Sequence, residues 1–206
     1  MLNVKQVLHQ VNKRDPERTR EAVLTAAEQL FADQGYDQTT LQQIGEAAGV
    51  SRGTPGYLFG SKEALYRAVL RRVVARVESA VEPALAELSR NDGHPEQAVR
   101  SFVGGFLAFL ATEPNFVRLM QREALAGGEW LRDALAAAPL DDALAALGPV
   151  VPGAAELLVA LVGVCWFPVA HAKTLLAVLG LDPQDPEFRE RYADEVAQLV
   201  RRARRA

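Results

Sequence analysis

Apolar positions along the chain recur at helical spacing, and strand-like alternation is absent. The clearest stripe, Ala22, Val23, Ala26, Ala27, Leu30 and Phe31, predicts a first helix to about Gln34. Asp15-Pro16-Glu17 starts it, with an N-cap acceptor, Pro in the first turn and an acid at the positive end of the dipole. Gly35 ends it. Leu41, Ile44, Ala47 and Ala48 predict the inward face of a second helix, opened by a capping box of Thr40 with Gln43. Gly49 makes the next turn at positive φ, Val50 fills the corner, and Ser51 caps a short third helix from about Arg52 to Phe59. Gly60-Ser61 then restarts the chain, with Ser61 capping a fourth helix that reaches about Arg90 and contains Pro83.

Before this block, Val4, Val7, Leu8 and Val11 fit a short amphipathic helix or a frayed arm. After it, Asn91-Asp92-Gly93-His94 is a break, and a fifth helix spans about 95–112. Glu113-Pro114 opens a sixth, and Gly127-Gly128 separates a seventh, whose continuation through Pro139 and Gly148-Pro149 stays open. An eighth runs from about Gly153 to Leu179 and contains Pro168; a turn at 180–186 leads to a ninth, to about Arg202. The fold class is therefore all-α, with about nine helices.

Composition sharpens this picture. A chain of 206 residues suits one or two domains, and 49% apolar residues suffice for a core. The longest uncharged run, Leu157 to Ala172, is 16 residues, too short for a bilayer and read as a buried helix. The first residues lack the apolar segment and cleavage site of a signal peptide, and a single cysteine, Cys165, excludes an internal disulfide. Both fit a cytoplasmic protein with no membrane partner. The net charge of −3 hides a split: residues 1–76 hold 11 Lys/Arg against 8 Asp/Glu, and residues 77–206 hold 12 against 18. One end suits a polyanion and the other does not.

Enzyme chemistry finds no support. There is no Glu-x-x-His pair, no Cys or His cluster, no phosphate-cradling glycine loop and no nucleophile elbow; His9, His94 and His171 are scattered. No cofactor or metal is implied. Two short helices joined by a tight turn present the second end-on, and the commonest partner for that geometry is the major groove of DNA.

The residues that carry this unit resemble those of a known family. Thr19-Arg20 through Phe31, Gly35-Tyr36, Thr39-Thr40, Ile44, Ala48-Gly49-Val50-Ser51, Gly53-Thr54, Phe59 and Ser61-Lys62-Glu63 are similar to the N-terminal domain of the tetracycline-repressor (TetR) family. The resemblance spans about residues 16–70. It implies a homodimeric, ligand-responsive transcriptional regulator, usually a repressor, that binds a palindromic double-stranded operator. It implies a helix-turn-helix domain in residues 1–60 and an effector-binding and dimerisation domain in residues 61–206, dimerising through the eighth and ninth helices. One departure stands out: Gly56 takes the place of the usual Tyr, and Tyr57 follows it, a rotation of roughly 100° on a helix. That departure alone supports an alternative, a helical ligand-binding or adaptor protein that has lost specific DNA binding.

Within the motif, Arg52 at the start of the recognition helix and Gln42 are the candidates for base contacts, since Arg pairs bidentately with guanine and Gln with adenine. Gly53, Thr54, Tyr57 and Lys62 are candidates for the backbone, as is Thr40, for which capping is an equal reading. Lys13, Arg14, Arg18 and Arg20 fit either a backbone-reaching or an ordinary charged arm. The C-terminal run Arg201-Arg202-Ala203-Arg204-Arg205 is read as complementing the dipole of the last helix. Phe102, Phe106, Phe109, Phe116, Met120 and Trp166 are candidates to line an effector cavity, with Glu123 and His171 orienting the ligand. Aromatics at helical spacing are more often plain core. Few convergent charges in this half point to a small, mainly apolar or weakly cationic effector. Cys165 is read as packing.

Overall fold

A computed structural model of the chain describes residues 16–89, 95–136 and 153–203. The expectations for the N-terminal arm with Lys13 and Arg14, for the Asp15 cap, for the 91–94 break, for the segment after Ala136 and for Arg204-Arg205 lie outside them. All regular structure among the described residues is helical: α1 (Pro16–Gln38), α2 (Leu41–Ala47), α3 (Thr54–Phe59), α4 (Lys62–Ser89), α5 (Pro95–Thr112), α6 (Pro114–Leu125), α7 (Glu129–Ala136), α8 (Ala154–Ala170), a π-helical turn (Ala172–Leu176) and α9 (Pro186–Ala203). The chain divides into two compact units after Leu70, inside α4.

In the first unit α1 packs on α2 and α2 on α3. Its core is Val23, Leu24, Ala27, Phe31, Ala32, Ile44, Leu65, Tyr66, Val69 and Leu70. The buried stripe of α1 is rotated slightly from the expected one. Leu24 and Ala32 are inside, while Ala22, Ala26 and Leu30 are half-buried. Phe31 meets Tyr66 edge-on at 4.8 Å, and Tyr36 lies 5.1 Å from Tyr66, so three rings bind α1 to the start of α4. The helical hydrogen bonding of α1 runs on to Gln38, but Gly35 breaks its axis at φ 84°, ψ 172°. The carbonyl that this kink turns out accepts from the buried Thr39 Oγ1 at 2.7 Å.

In the second unit α5 is the central helix, packed by α8 and α9, with α6 against α5 and α7 against α6. Phe102, Val103, Phe106, Leu107 and Leu110 on α5 are buried. A Cβ on Gly105 would lie 3.2 Å from the Ala80 carbonyl, which shows how closely α5 approaches α4. The stretch 153–179, expected as one helix, is broken at His171, and its last turn is π-helical. Pro168 inside α8 has no N–H for the carbonyl four residues back, that of Val164. Tyr192 Oη on α9 supplies that bond instead, at 2.8 Å. Proline and tyrosine thus tie α8 to α9. Among the described residues no helix is long and apolar enough to cross a membrane.

Candidate nucleic-acid interface

The capping box at Thr40 forms as the pattern requires: Gln43 N donates to Thr40 Oγ1 at 3.2 Å, and Thr40 N to Gln43 Oε1 at 2.8 Å. It fixes the start of α2. Gly49 turns the chain at φ 66°, and Val50 N closes onto the Gly45 carbonyl at 2.9 Å. Gly45 itself is buried, and a Cβ there would stand 3.0 Å from the Ser51 carbonyl and 3.2 Å from Arg52 Cα. The absence of a side chain at 45 is what lets the turn lie on α2. That was not legible from the period, which had placed Ala47 inside; Ala47 is exposed.

The third helix begins later than expected. Gly53, not Ser51, is its N-cap, and Pro55 sits in the first turn. Ser51 Oγ pairs with Thr54 Oγ1 at 2.7 Å, and the Ser51 carbonyl accepts from Thr54 N at 2.9 Å. The helix therefore presents Arg52 and Gly53 ahead of its first turn and Tyr57 on its outer face. All three are exposed, Tyr57 at 88%. The Gly56/Tyr57 shift thus leaves an aromatic side chain on the free face of α3.

Other sequence candidates carry the scaffold. Lys62 Nζ donates to the Tyr36 carbonyl at 3.0 Å and lies 4.2 Å from the centre of the Tyr36 ring, fixing the entry of α4. Arg20 lies 4.2 Å from the Phe59 ring centre and donates to the Leu58 carbonyl at 3.3 Å, clamping the end of α3 onto α1. Arg18 is exposed. Ser61 Oγ accepts from Ala64 N at 3.0 Å, the expected cap.

One residue escaped the sequence reading. Glu46 Oε1 accepts from Arg52 Nη2 at 3.1 Å and from Gln42 Nε2 at 3.2 Å. A single carboxylate oxygen thus gathers both base-contact candidates. The i, i+4 spacing of Gln42 and Glu46 was the available signal.

In the second unit the aromatic candidates do form a chain. Phe102 to Phe106 is 5.7 Å, Phe106 to Phe109 6.3 Å, Phe109 to Phe116 5.1 Å and Phe116 to Trp166 6.3 Å between ring centres. Met120 is half-buried on α6. Glu123 is buried and turned to a structural task, its Oε2 accepting from Leu131 N in the first turn of α7 at 3.1 Å. His171 is exposed at the end of α8, its ring 4.5 Å from Phe167, and it does not join the chain of rings. Cys165 is buried, its thiol pushed up to about 12 by burial, in keeping with packing. A separate groove of about 360 Å³ lies between α5 and α9, lined by Arg100, Gly104, Gly105, Arg189 and Glu190 among others. Its cations are engaged: Arg100 pairs with Asp194, and Arg189 donates to the Pro183 and Gln184 carbonyls.

A tri-helical unit with a capped scaffold helix, a tight turn and an exposed recognition helix, followed by a larger helical unit, defines a helix-turn-helix DNA-binding regulator. Residues 23–69 match the model of the bacterial regulatory proteins, tetR family. The HTH-type transcriptional repressor NicS of Pseudomonas putida is 26% identical over 210 residues, 95% of this chain and 96% of that protein. The HTH-type transcriptional regulator RutR of Escherichia coli K12 is 37% identical over 116 residues, 56% of this chain and 52% of RutR. A TetR-like transcriptional regulator from a Rhodococcus species shares the fold, with a TM-score of 0.61 at 20% identity, over 87% of this chain and 93% of that one. Residues 23–69 are thus a tetR-family helix-turn-helix domain, and over nearly its full length the chain is similar to a helix-turn-helix transcriptional regulator.

Proposed function

We propose that the protein acts as a homodimer on a palindromic operator, as a repressor released by a small, mainly apolar effector. The observation that carries the dimer is the uncovered apolar surface of α8, the π-helical turn and α9. Val159, Phe167, Leu175, Val178, Leu179 and Leu199 are all exposed. So many large apolar side chains left exposed on α8, on α9 and on the stretch after α8 need a cover, and a second copy supplies one with two-fold symmetry. Two-fold symmetry in turn suits a reader of two half-sites about one helical turn, roughly 34 Å, apart. The near full-length likeness to a repressor, NicS, supports the sign of regulation.

Base contacts in this reading come from Arg52 and Gln42, with Thr40, Gly53, Thr54 and Tyr57 along the backbone. Lys62 reaches DNA only if its ammonium keeps Tyr36 and adds a phosphate, which its three donors permit. The effector lies against the rings of Phe102, Phe106, Phe109, Phe116 and Trp166, beside Met120. Glu123 and His171 are left out of its wall, because one caps α7 and the other faces solvent. The ligand acts by population shift, favouring a dimer whose recognition helices no longer match successive major grooves.

Sedimentation of the full chain at micromolar concentration tests the central claim, with a dimer expected. A monomer that binds a two-half-site duplex as tightly as the family reading requires would overturn it. Removal of the ring at Phe106 should weaken an effector found by thermal-shift screening while leaving ligand-free DNA binding intact.

A further inference from the structure

We propose that Glu46 is a specificity-determining residue, which holds Arg52 and Gln42 on one carboxylate oxygen so that they engage base edges rather than phosphates. The proposal rests on the reading of Arg52 as a base contact. Side-chain packing does not order this group: Arg52 and Glu46 are 71% and 52% exposed. What orders it is the shared acceptor, 3.1 Å from Arg52 Nη2 and 3.2 Å from Gln42 Nε2.

The chemistry of the two kinds of DNA acceptor then separates. A guanidinium has five donors. With Nη2 on Glu46, Arg52 keeps donors free for O6 and N7 of guanine, which are neutral acceptors. It gains a base without losing the carboxylate, and contact with DNA strengthens the pair by excluding water. A phosphate is a costlier addition. To reach one, Arg52 must either bring a second anion against the Glu46 carboxylate or leave it, exchanging one anion for another and turning a bare carboxylate toward the charged backbone. Registers that present only backbone are therefore penalised. The same carboxylate balances Arg52 locally, so this arginine should contribute little to counterion release in non-specific binding. Gln42 is held beside it by the same oxygen, which couples the two readers.

The test uses the full chain and two duplexes: one selected by the wild-type protein from a random-sequence library, and a scrambled duplex of the same composition. Dissociation constants are measured across a salt series for wild type, Glu46→Gln, Glu46→Ala, Arg52→Ala and the double variant Arg52→Ala/Glu46→Gln. Glu46→Gln should bind the scrambled duplex more tightly and lower the selected-to-scrambled ratio by about 10-fold. It should steepen the scrambled-duplex salt slope by about one per chain. Glu46→Ala should do at least as much. Both effects should largely vanish in the Arg52→Ala background. An unchanged ratio and slope in Glu46→Gln and Glu46→Ala, with Arg52→Ala still relaxing the sequence preference, would overturn the proposal and leave Arg52 as a reader. A Glu46→Gln effect that persists undiminished without Arg52 would reduce Glu46 to simple repulsion and also overturn it. If Arg52→Ala itself changes neither affinity nor preference, the reading of Arg52 fails first and the proposal falls with it.

Discussion

The two units of this chain spend their side chains differently. In the first, polar contacts settle nearly every junction: the Thr40–Gln43 box opens α2, Thr39 satisfies the Gly35 kink and Ser61 opens α4, all within a few residues, while Lys62 and Arg20 reach farther along the chain, each to combine a carbonyl with an aromatic face. Among its described residues the large apolar side chain left exposed is Tyr57. In the second, large apolar side chains remain in solvent on α8, the π-helical turn and α9, and long-range contacts such as Tyr192 to Val164 make the joints. A surface finished by its own residues suits a partner met transiently through charge, here DNA. A surface left apolar suits a partner that stays.

The contrast breaks most visibly if the apolar surface is charged. Val159→Asp with Leu199→Asp should yield monomers by sedimentation and lower affinity for a selected two-half-site duplex by at least about 100-fold, because linked half-sites gain avidity that one reader lacks. The first unit's core is the next target. Phe31 is fully buried between Tyr36 and Tyr66. Phe31→Ala should cost about 3–5 kcal/mol in denaturant melts, whereas Phe167→Ala, on the exposed face of α8, should change monomer stability by no more than about 0.5 kcal/mol.

Tyr192→Phe should cost about 1–3 kcal/mol, since it leaves the Val164 carbonyl without the bond that Pro168 denies it. The informative measurement is the double variant. Pro168→Ala restores a helical N–H, so the penalty of Tyr192→Phe should shrink in that background. Equal penalties in both backgrounds would show that the hydroxyl does not answer the proline. Thr40→Ala should cost about 1 kcal/mol through the lost cap, with its effect confined to the first unit's melting.

Legibility followed the same divide. Caps, turn glycines and the stripe of α1 are local codes, so the helix-turn-helix was readable to within a few residues. Ser51 misled by two residues, because its hydroxyl meets Thr54 while Gly53 stands at the N-cap. Gly45 was not readable, because its reason is the approach of the Ser51 carbonyl and not its own neighbours in sequence. In the second unit the helices were readable but their joints were not. Nothing local to Pro168 announces Tyr192, 24 residues on, and the apolar run of 153–179 does not mark the break at His171. Phe102, Phe106 and Phe109 could be grouped because they repeat on α5, but that repeat does not tell a ligand wall from packed core. Glu123 and His171 were named for their chemistry alone, which carries no information on where a side chain is turned.

The smallest expected effect has the opposite sign and probes Gly56, where the sequence departs from the pattern it otherwise resembles. Gly56 lies inside α3, and its φ is not among the positive values that demand glycine. A Cβ there would lie 3.7 Å from Leu41 Cδ1, an ordinary van der Waals contact. Alanine should therefore keep the backbone, add a contact between α3 and α2, and remove the helix cost of glycine. Gly56→Ala should stabilise the first unit by about 0.5–1 kcal/mol, seen as a higher midpoint in denaturant. Since Tyr57 points to solvent on the same short helix, a stiffer α3 should also hold it more firmly for DNA. A midpoint that rises while affinity for the selected duplex falls would mean that the recognition helix must yield on binding, and that glycine is kept at 56 for motion and not for space.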